Sequence, residues 1–179
     1  MTLWVFAYGS LLWNPGFAVA ERVRACLPGW RRGFCMRSIH YRGTPARPGL
    51  VLGLDQGGEC DGIALRAAPG TEAATRAYLH DREMIGSAYR ECEMPVDLAD
   101  GRQVAALTYV LDRVHPLYCG ALSLPEQAQI IAAACGDRGP NRDYLWNTAA
   151  HLADLGIHDP DMVWLAEHVR GICTASGGK

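Results

Sequence analysis

A chain of 179 residues is long enough to bury a core without staples, and 49% hydrophobic against 20% charged residues is a globular balance, which excludes a disordered segment. A formal net charge of -2, with basic residues scattered apart from Arg31-Arg32, gives no reason to expect nucleic acid or an anionic membrane as partner. The seven cysteines are odd in number and contain no C-x-x-C pair, which argues against a structural zinc site or a thioredoxin-like couple. They read as reduced core cysteines of a cytoplasmic protein. No basic region followed by an apolar core and cleavage site opens the chain, and no uncharged apolar run approaches membrane-spanning length.

Trp4-Val5-Phe6-Ala7 predicts a buried strand that runs directly into Tyr8-Gly9-Ser10-Leu11. Gly9 can take positive φ and lacks a Cβ, so the amides of Gly9, Ser10 and Leu11 could cradle a carboxylate or an oxyanion just past the strand end. The plainer reading is a strand followed by a turn. Trp13-Asn14-Pro15-Gly16-Phe17 turns the chain. Val19 to Leu27 predicts a strand, Pro28-Gly29 a turn, and Trp30, Phe34 and Met36 one face of a second strand that ends at Arg37-Ser38.

Leu50 to Leu54 and Gly62 to Leu65 are two apolar runs joined by the glycine-rich Asp55 to Asp61, the pattern of a hairpin. Gly70-Thr71 opens a helix through Met84 with Thr71 as N-cap, on which Leu79 and Glu83 share a face. Cys92, Met94, Val96 and Leu98 alternate with polar residues, Asp100-Gly101 signals a hairpin, and Val104 to Leu111 reads as a central strand. The last third is helical. Ser123-Leu124-Pro125-Glu126 is a capping box for a helix ended by Gly136, a second helix runs from about Asn141 to Gly156, and a third starts at Asp159-Pro160. Strands gathered first and helices last predict an α+β domain over residues 1–173 with a flexible tail at 174–179.

The six histidines include no H-E-x-x-H and no ligand-spaced pair near an acid, so metal catalysis has little support. Ser10 lacks a G-x-S-x-G elbow, which leaves a serine hydrolase unsupported. Glu83, carried inward on the Leu79 face, would have a raised pKa and could accept and return a proton near neutrality. Alternatively it is an exposed helix carboxylate paired with Arg82 or Arg90. Tyr144, after Gly139-Pro140-Asn141, lines either a loop with an N-cap or a pocket mouth.

Taken in order, Tyr8-Gly9-Ser10-Leu11-Leu12-Trp13-Asn14-Pro15, Arg32-Gly33-Phe34-Cys35-Met36-Arg37-Ser38, Arg42-Gly43-Thr44-Pro45, Pro48-Gly49-Leu50-Val51-Leu52-Gly53-Leu54, Arg82-Glu83-Met84 and Arg138-Gly139-Pro140-Asn141 resemble the ChaC-type, glutathione-specific γ-glutamylcyclotransferase family from about Trp4 to near Arg170. The resemblance implies a small mixed β-barrel flanked by helices and no cofactor or metal. It implies glutathione as a small-molecule partner, cleaved to 5-oxoproline and cysteinylglycine, with Glu83 as general acid/base; separately, the chain is expected to act as a monomer. It also implies that Tyr8, Gly9, Ser10 and Leu11 bind substrate, and carries Arg37, Ser38 and Tyr144 as pocket-lining candidates. The rival readings are a cyclotransferase for other γ-glutamyl amino acids or amines and a non-catalytic regulatory module linked to cation transport.

Overall fold

The apolar N-terminal run forms β1, Trp4–Ala7, with all four residues buried. The computed structural model describes residues 2–84 and 88–176. These divide into two compact units, Met1–Arg32 with Gly53–Pro116 and Gly33–Leu52 with Leu117–Lys179.

Five strands close a barrel in the order β1-β3-β2-β4-β5, with β2 spanning Val19–Ser38, β3 Gly49–Ala67, β4 Tyr89–Leu98 and β5 Gln103–Leu111. The ends of β2 after Arg32 and of β3 before Gly53 belong to the second unit. β1 pairs antiparallel with β3, Val5 opposite Leu65, and parallel with β5, Val5 opposite Leu107. The Asp100-Gly101 signal is realised as a β4–β5 hairpin, in which Gly101 takes φ +90°. Ala106 to Leu111 are fully buried, as a central strand requires. The expected alternation holds in β4, where Val96 and Leu98 are buried while Glu93, Pro95 and Asp97 are exposed.

Two expected turns are absent as turns. Residues 55–61 do not form a hairpin loop, and Pro28-Gly29 does not separate two strands; both lie inside the continuous β3 and β2. Gly29, Gly57 and Gly58 have positive φ, so each supplies a local irregularity without ending its strand.

Gly62, also on β3, backs directly onto β1: a Cβ built there would meet the Ala7 carbonyl oxygen and come within 2.8 Å of the Phe6 ring. Backbone cannot step aside as a flexible side chain can. Gly62→Ala is therefore expected to cost about 1–3 kcal/mol, read as a lower urea midpoint with an unchanged m-value.

The first unit also carries α1, Glu72–Glu83. Thr71 stands at its N-cap position, but its hydroxyl donates to the Ala68 carbonyl (2.8 Å) and caps nothing in the helix. Leu79 is fully buried, which sets the orientation of the face it shares with Glu83.

The second unit contains α2, Leu124–Ala133, α3, Asn141–Asp154, and α4, Pro160–Ser176, around a core that includes Ile131, Leu145, Leu165 and Val169. The capping box forms as the sequence dictates, Ser123 N donating to Glu126 Oε2 at 2.7 Å. Asp159 caps α4 by accepting from Met162 N at 3.1 Å. Gly136 does not end α2. The helix stops at Ala133, and Gly136 pairs with Gly139 in a two-residue ladder, β6 (Cys135–Gly136) with β7 (Gly139–Pro140). The helical path of α4 includes Thr174 to Ser176, the start of the expected tail; its remaining residues, 177–179, lie outside the described residues. All seven cysteines are free, but Cys35 and Cys60 alone among them are buried, so the core reading holds for those two. No described helix is long and apolar enough to cross a membrane.

Candidate functional site

Immediately after β1 the chain tightens into a 3₁₀ turn, Ser10–Leu12, closed by Leu12 N to Gly9 O and Asn14 N to Ser10 O, both 2.9 Å. Gly9 has φ −134° and ψ −131°, so the positive φ open to a glycine is not used here. Ser10 and Leu11 open the turn, where backbone N–H groups have no partner inside it. Tyr8 is buried and held at both ends. Its hydroxyl donates to the Tyr109 carbonyl (3.1 Å), and its own carbonyl accepts from the buried Arg32 Nε (2.7 Å). Leu11 points into the core.

Glu83 is the last residue of α1, and its side chain is 20% exposed. Burial pushes its carboxyl above the ordinary carboxylate range, and the positive charge of Arg82 opposes that shift. Both sequence readings of Glu83 are partly realised. It is paired with Arg82, Nε to Oε1 at 3.2 Å, but the pair is not on an exposed face. The rest of the Arg82 guanidinium reaches the loop after β1: Nη2 donates to Ser10 Oγ (2.9 Å), and Nη1 donates to the Asn14 carbonyl (2.8 Å) and to the Tyr78 hydroxyl (3.1 Å). One side chain thus ties the acid to the loop.

On the barrel side, Tyr109 of β5 donates its hydroxyl to Glu91 Oε2 of β4 (3.1 Å), and Glu91 is also held by Arg76 (2.8 Å) and His80 (3.3 Å). Burial raises the Tyr109 pKa, and the charges of Glu91 and Glu83 add to the rise. Tyr109 therefore remains a neutral donor, while Glu91, engaged by three donors, is held below the usual carboxylate range against the opposing effect of burial.

The remaining candidates belong to the second unit. Ser38 is buried and its Oγ accepts from Arg42 N (3.0 Å), which closes the turn after β2. Arg37 is half-buried, donates its amide to the Leu117 carbonyl (2.8 Å), and partly offsets the burial that raises the Cys119 thiol pKa. Tyr144 meets Phe34 edge-on with ring centroids 6.0 Å apart, and the Arg42 guanidinium lies 5.5 Å from its own ring. Arg42 also donates to the carbonyls of Arg138 (2.8 Å) and Pro140 (3.2 Å), fastening the start of α3. Nearby, the buried Asn141 bonds both backbone groups of Leu50: Oδ1 accepts from Leu50 N and Nδ2 donates to Leu50 O, each at 2.7 Å.

Three arginines carry this architecture and were not among the expected site residues: Arg82, Arg32 and Arg42. Each lies inside one of the motifs singled out in the sequence, which was the available signal. Among the described residues, no group of three or more His, Cys, Asp or Glu is arranged to hold a metal ion.

Residues 3–172 match the model of a family described as ChaC-like protein. The chain is 39% identical over 157 residues to the glutathione-specific gamma-glutamylcyclotransferase of Escherichia coli (strain K12), covering 88% of this chain and 68% of that one. It is 34% identical over 181 residues to gamma-glutamylcyclotransferase 2-1 of Arabidopsis thaliana, covering 95% and 83%. Among solved structures, a yeast gamma-glutamyl cyclotransferase specific to glutathione shares the fold with a TM-score of 0.84 at 24% identity, over 95% of this chain and 96% of that one.

Proposed function

Because the chain belongs to the ChaC-like protein family, we propose that it is a glutathione-specific γ-glutamylcyclotransferase, a lyase that forms 5-oxoproline and cysteinylglycine. The reaction is an intramolecular aminolysis. The α-amino nitrogen of the γ-glutamyl unit bonds to its own γ-carbonyl carbon, closing a five-membered ring, and the amide bond to cysteine breaks. Nucleophile and electrophile belong to one molecule and no electrons change hands, so the protein has to supply conformation, proton transfer and charge stabilisation.

Glu83 is the proton carrier in this reading. It takes a proton from the attacking amine and delivers it to the departing amide nitrogen; ring closure holds both nitrogens within reach of one carboxylate. The carrying observation is that Glu83 is a mostly buried acid with a raised pKa, bound through Arg82 to the Ser10 loop. A carboxylate with elevated pKa is a better match to an amine proton at neutral pH than an ordinary one. In this reading the amides of Gly9, Ser10 and Leu11 would bind the substrate carboxylate or the oxyanion, and Arg37, Ser38 and Tyr144 remain substrate-binding candidates on the family resemblance alone.

The test is to incubate chelator-treated protein with glutathione and, separately, with γ-glutamylalanine, and to quantify 5-oxoproline and the released amine by mass spectrometry. Product from glutathione alone is the expected result. Product from γ-glutamylalanine alone would keep the mechanism and replace the substrate; none from either would leave a binding module as the better reading.

A further inference from the structure

We propose that Arg82 is a positioning residue of the reaction: its guanidinium fixes Glu83 at one set distance from the Ser10 loop, so that acid and substrate cradle move as one piece. The inference rests on Glu83 being the proton carrier. It starts from an excess of bonds. Arg82 makes an ion pair with Glu83 through Nε and hydrogen bonds through both terminal nitrogens to Ser10 Oγ, the Asn14 carbonyl and the Tyr78 hydroxyl. Its side chain is 21% exposed, far less than a solvated surface ion pair would need. Ser10 and Asn14 are 72 and 68 residues away along the chain. A planar guanidinium satisfies all four at once because its donors form a fixed fork, whereas an ammonium is a point charge.

The physical consequence is twofold. Geometry is set by the fork, because the Glu83 carboxylate at the last turn of α1 has no other ion-pair partner among the described residues to fix its oxygens. Ionisation is set by the charge, which counteracts the burial that raises the Glu83 pKa. Among the described residues, the titratable groups that interact with Glu83 are Arg82 on its own helix and Tyr109 on β5; Tyr109 is bound to Glu91 of β4, which is already paired with Arg76 and His80. None of these supplies a second free cation to Glu83.

The experiment compares Arg82→Gln, Arg82→Lys and Glu83→Gln with the parent enzyme, each checked for folding by circular dichroism, with kcat and kcat/KM measured across pH. Arg82→Gln removes fork and charge: kcat is expected to fall roughly a hundredfold, and the acidic limb of kcat/KM to move to higher pH because Glu83 protonates more readily. Arg82→Lys keeps the charge and loses the fork. Its acidic limb is expected to stay near that of the parent while kcat falls about tenfold, the cost of partial misplacement.

Lost turnover with an unmoved acidic limb in Arg82→Gln would make Arg82 a merely structural residue and overturn the proposal, as would parental kcat in Arg82→Lys. Should Arg82→Gln fail to fold, Arg82→Lys alone decides. Full activity in Glu83→Gln would instead overturn the underlying assignment of the proton carrier, so the two failures are distinguishable.

Discussion

Glu83→Gln is expected to lower turnover of glutathione by about a hundred to ten thousandfold and to leave the fold intact. Glutamine keeps the volume and the contact with Arg82 while losing basicity, so any loss reports proton transfer and not packing. A native circular dichroism spectrum with turnover within tenfold of the parent would remove Glu83 from the mechanism.

The same residue sets a pH dependence whose sign is fixed. Its folded-state pKa is raised, chiefly by burial, so the native protein binds a proton there in a pH window where the unfolded chain does not. Stability from this group is fully present below the ordinary carboxylate range and is lost as pH rises through the raised value. Activity runs the opposite way, because the base must be ionised. Glu83→Gln removes this titration from both, so the variant should lose less stability than the parent between mildly acid and neutral pH, as urea midpoints at the two pH values will read.

The second large effect is on stability. Asn141→Ala is expected to cost about 3 kcal/mol, the sum of two buried backbone groups left without partners. Asn141 is fully buried, and its amide gives Leu50 both an acceptor and a donor, as a neighbouring strand would. Alanine can supply neither. Gly49, next in the chain, has no room for a Cβ, which would meet the Arg42 carbonyl and come within 2.7 Å of Asn141 Oδ1. The surrounding backbone is therefore too closely fitted to collapse around the change. A fall in urea midpoint corresponding to under about 1 kcal/mol would mean that water replaces both bonds.

What was legible in the sequence follows from how local each signal was. The capping box at Ser123, the α4 cap at Asp159 and the Asp100-Gly101 hairpin are fixed by residues within a few positions of each other, and all formed where expected. Glycine signals were ambiguous in kind. A positive φ serves a turn and an irregular strand equally, so Gly29, Gly57 and Gly58 announced the conformation but not that β2 and β3 would continue through it. The loop after β1 and Glu83 stood out as motif residues. The role of Arg82 did not, because two of its partners, Ser10 and Asn14, are some 70 residues away and look like ordinary loop residues. Tyr8 makes the same point: its hydroxyl is committed to Tyr109, 101 residues on.

The double pairing of β1 bears on how the molecule comes to exist. Trp4 to Ala7 precedes every other barrel strand in the chain and is fully apolar, yet its partners are Ile63 to Arg66 on one side and Ala106 and Leu107 on the other. During synthesis, at about 5–20 residues per second, those four residues wait several seconds before the last staves of the barrel leave the ribosome. The pairings of the strand that leads into the Ser10 loop thus span most of the barrel's sequence. Such long-range closure makes folding slow. It also makes the waiting β1 segment the place where a chaperone, or another nascent copy, would find exposed apolar chain.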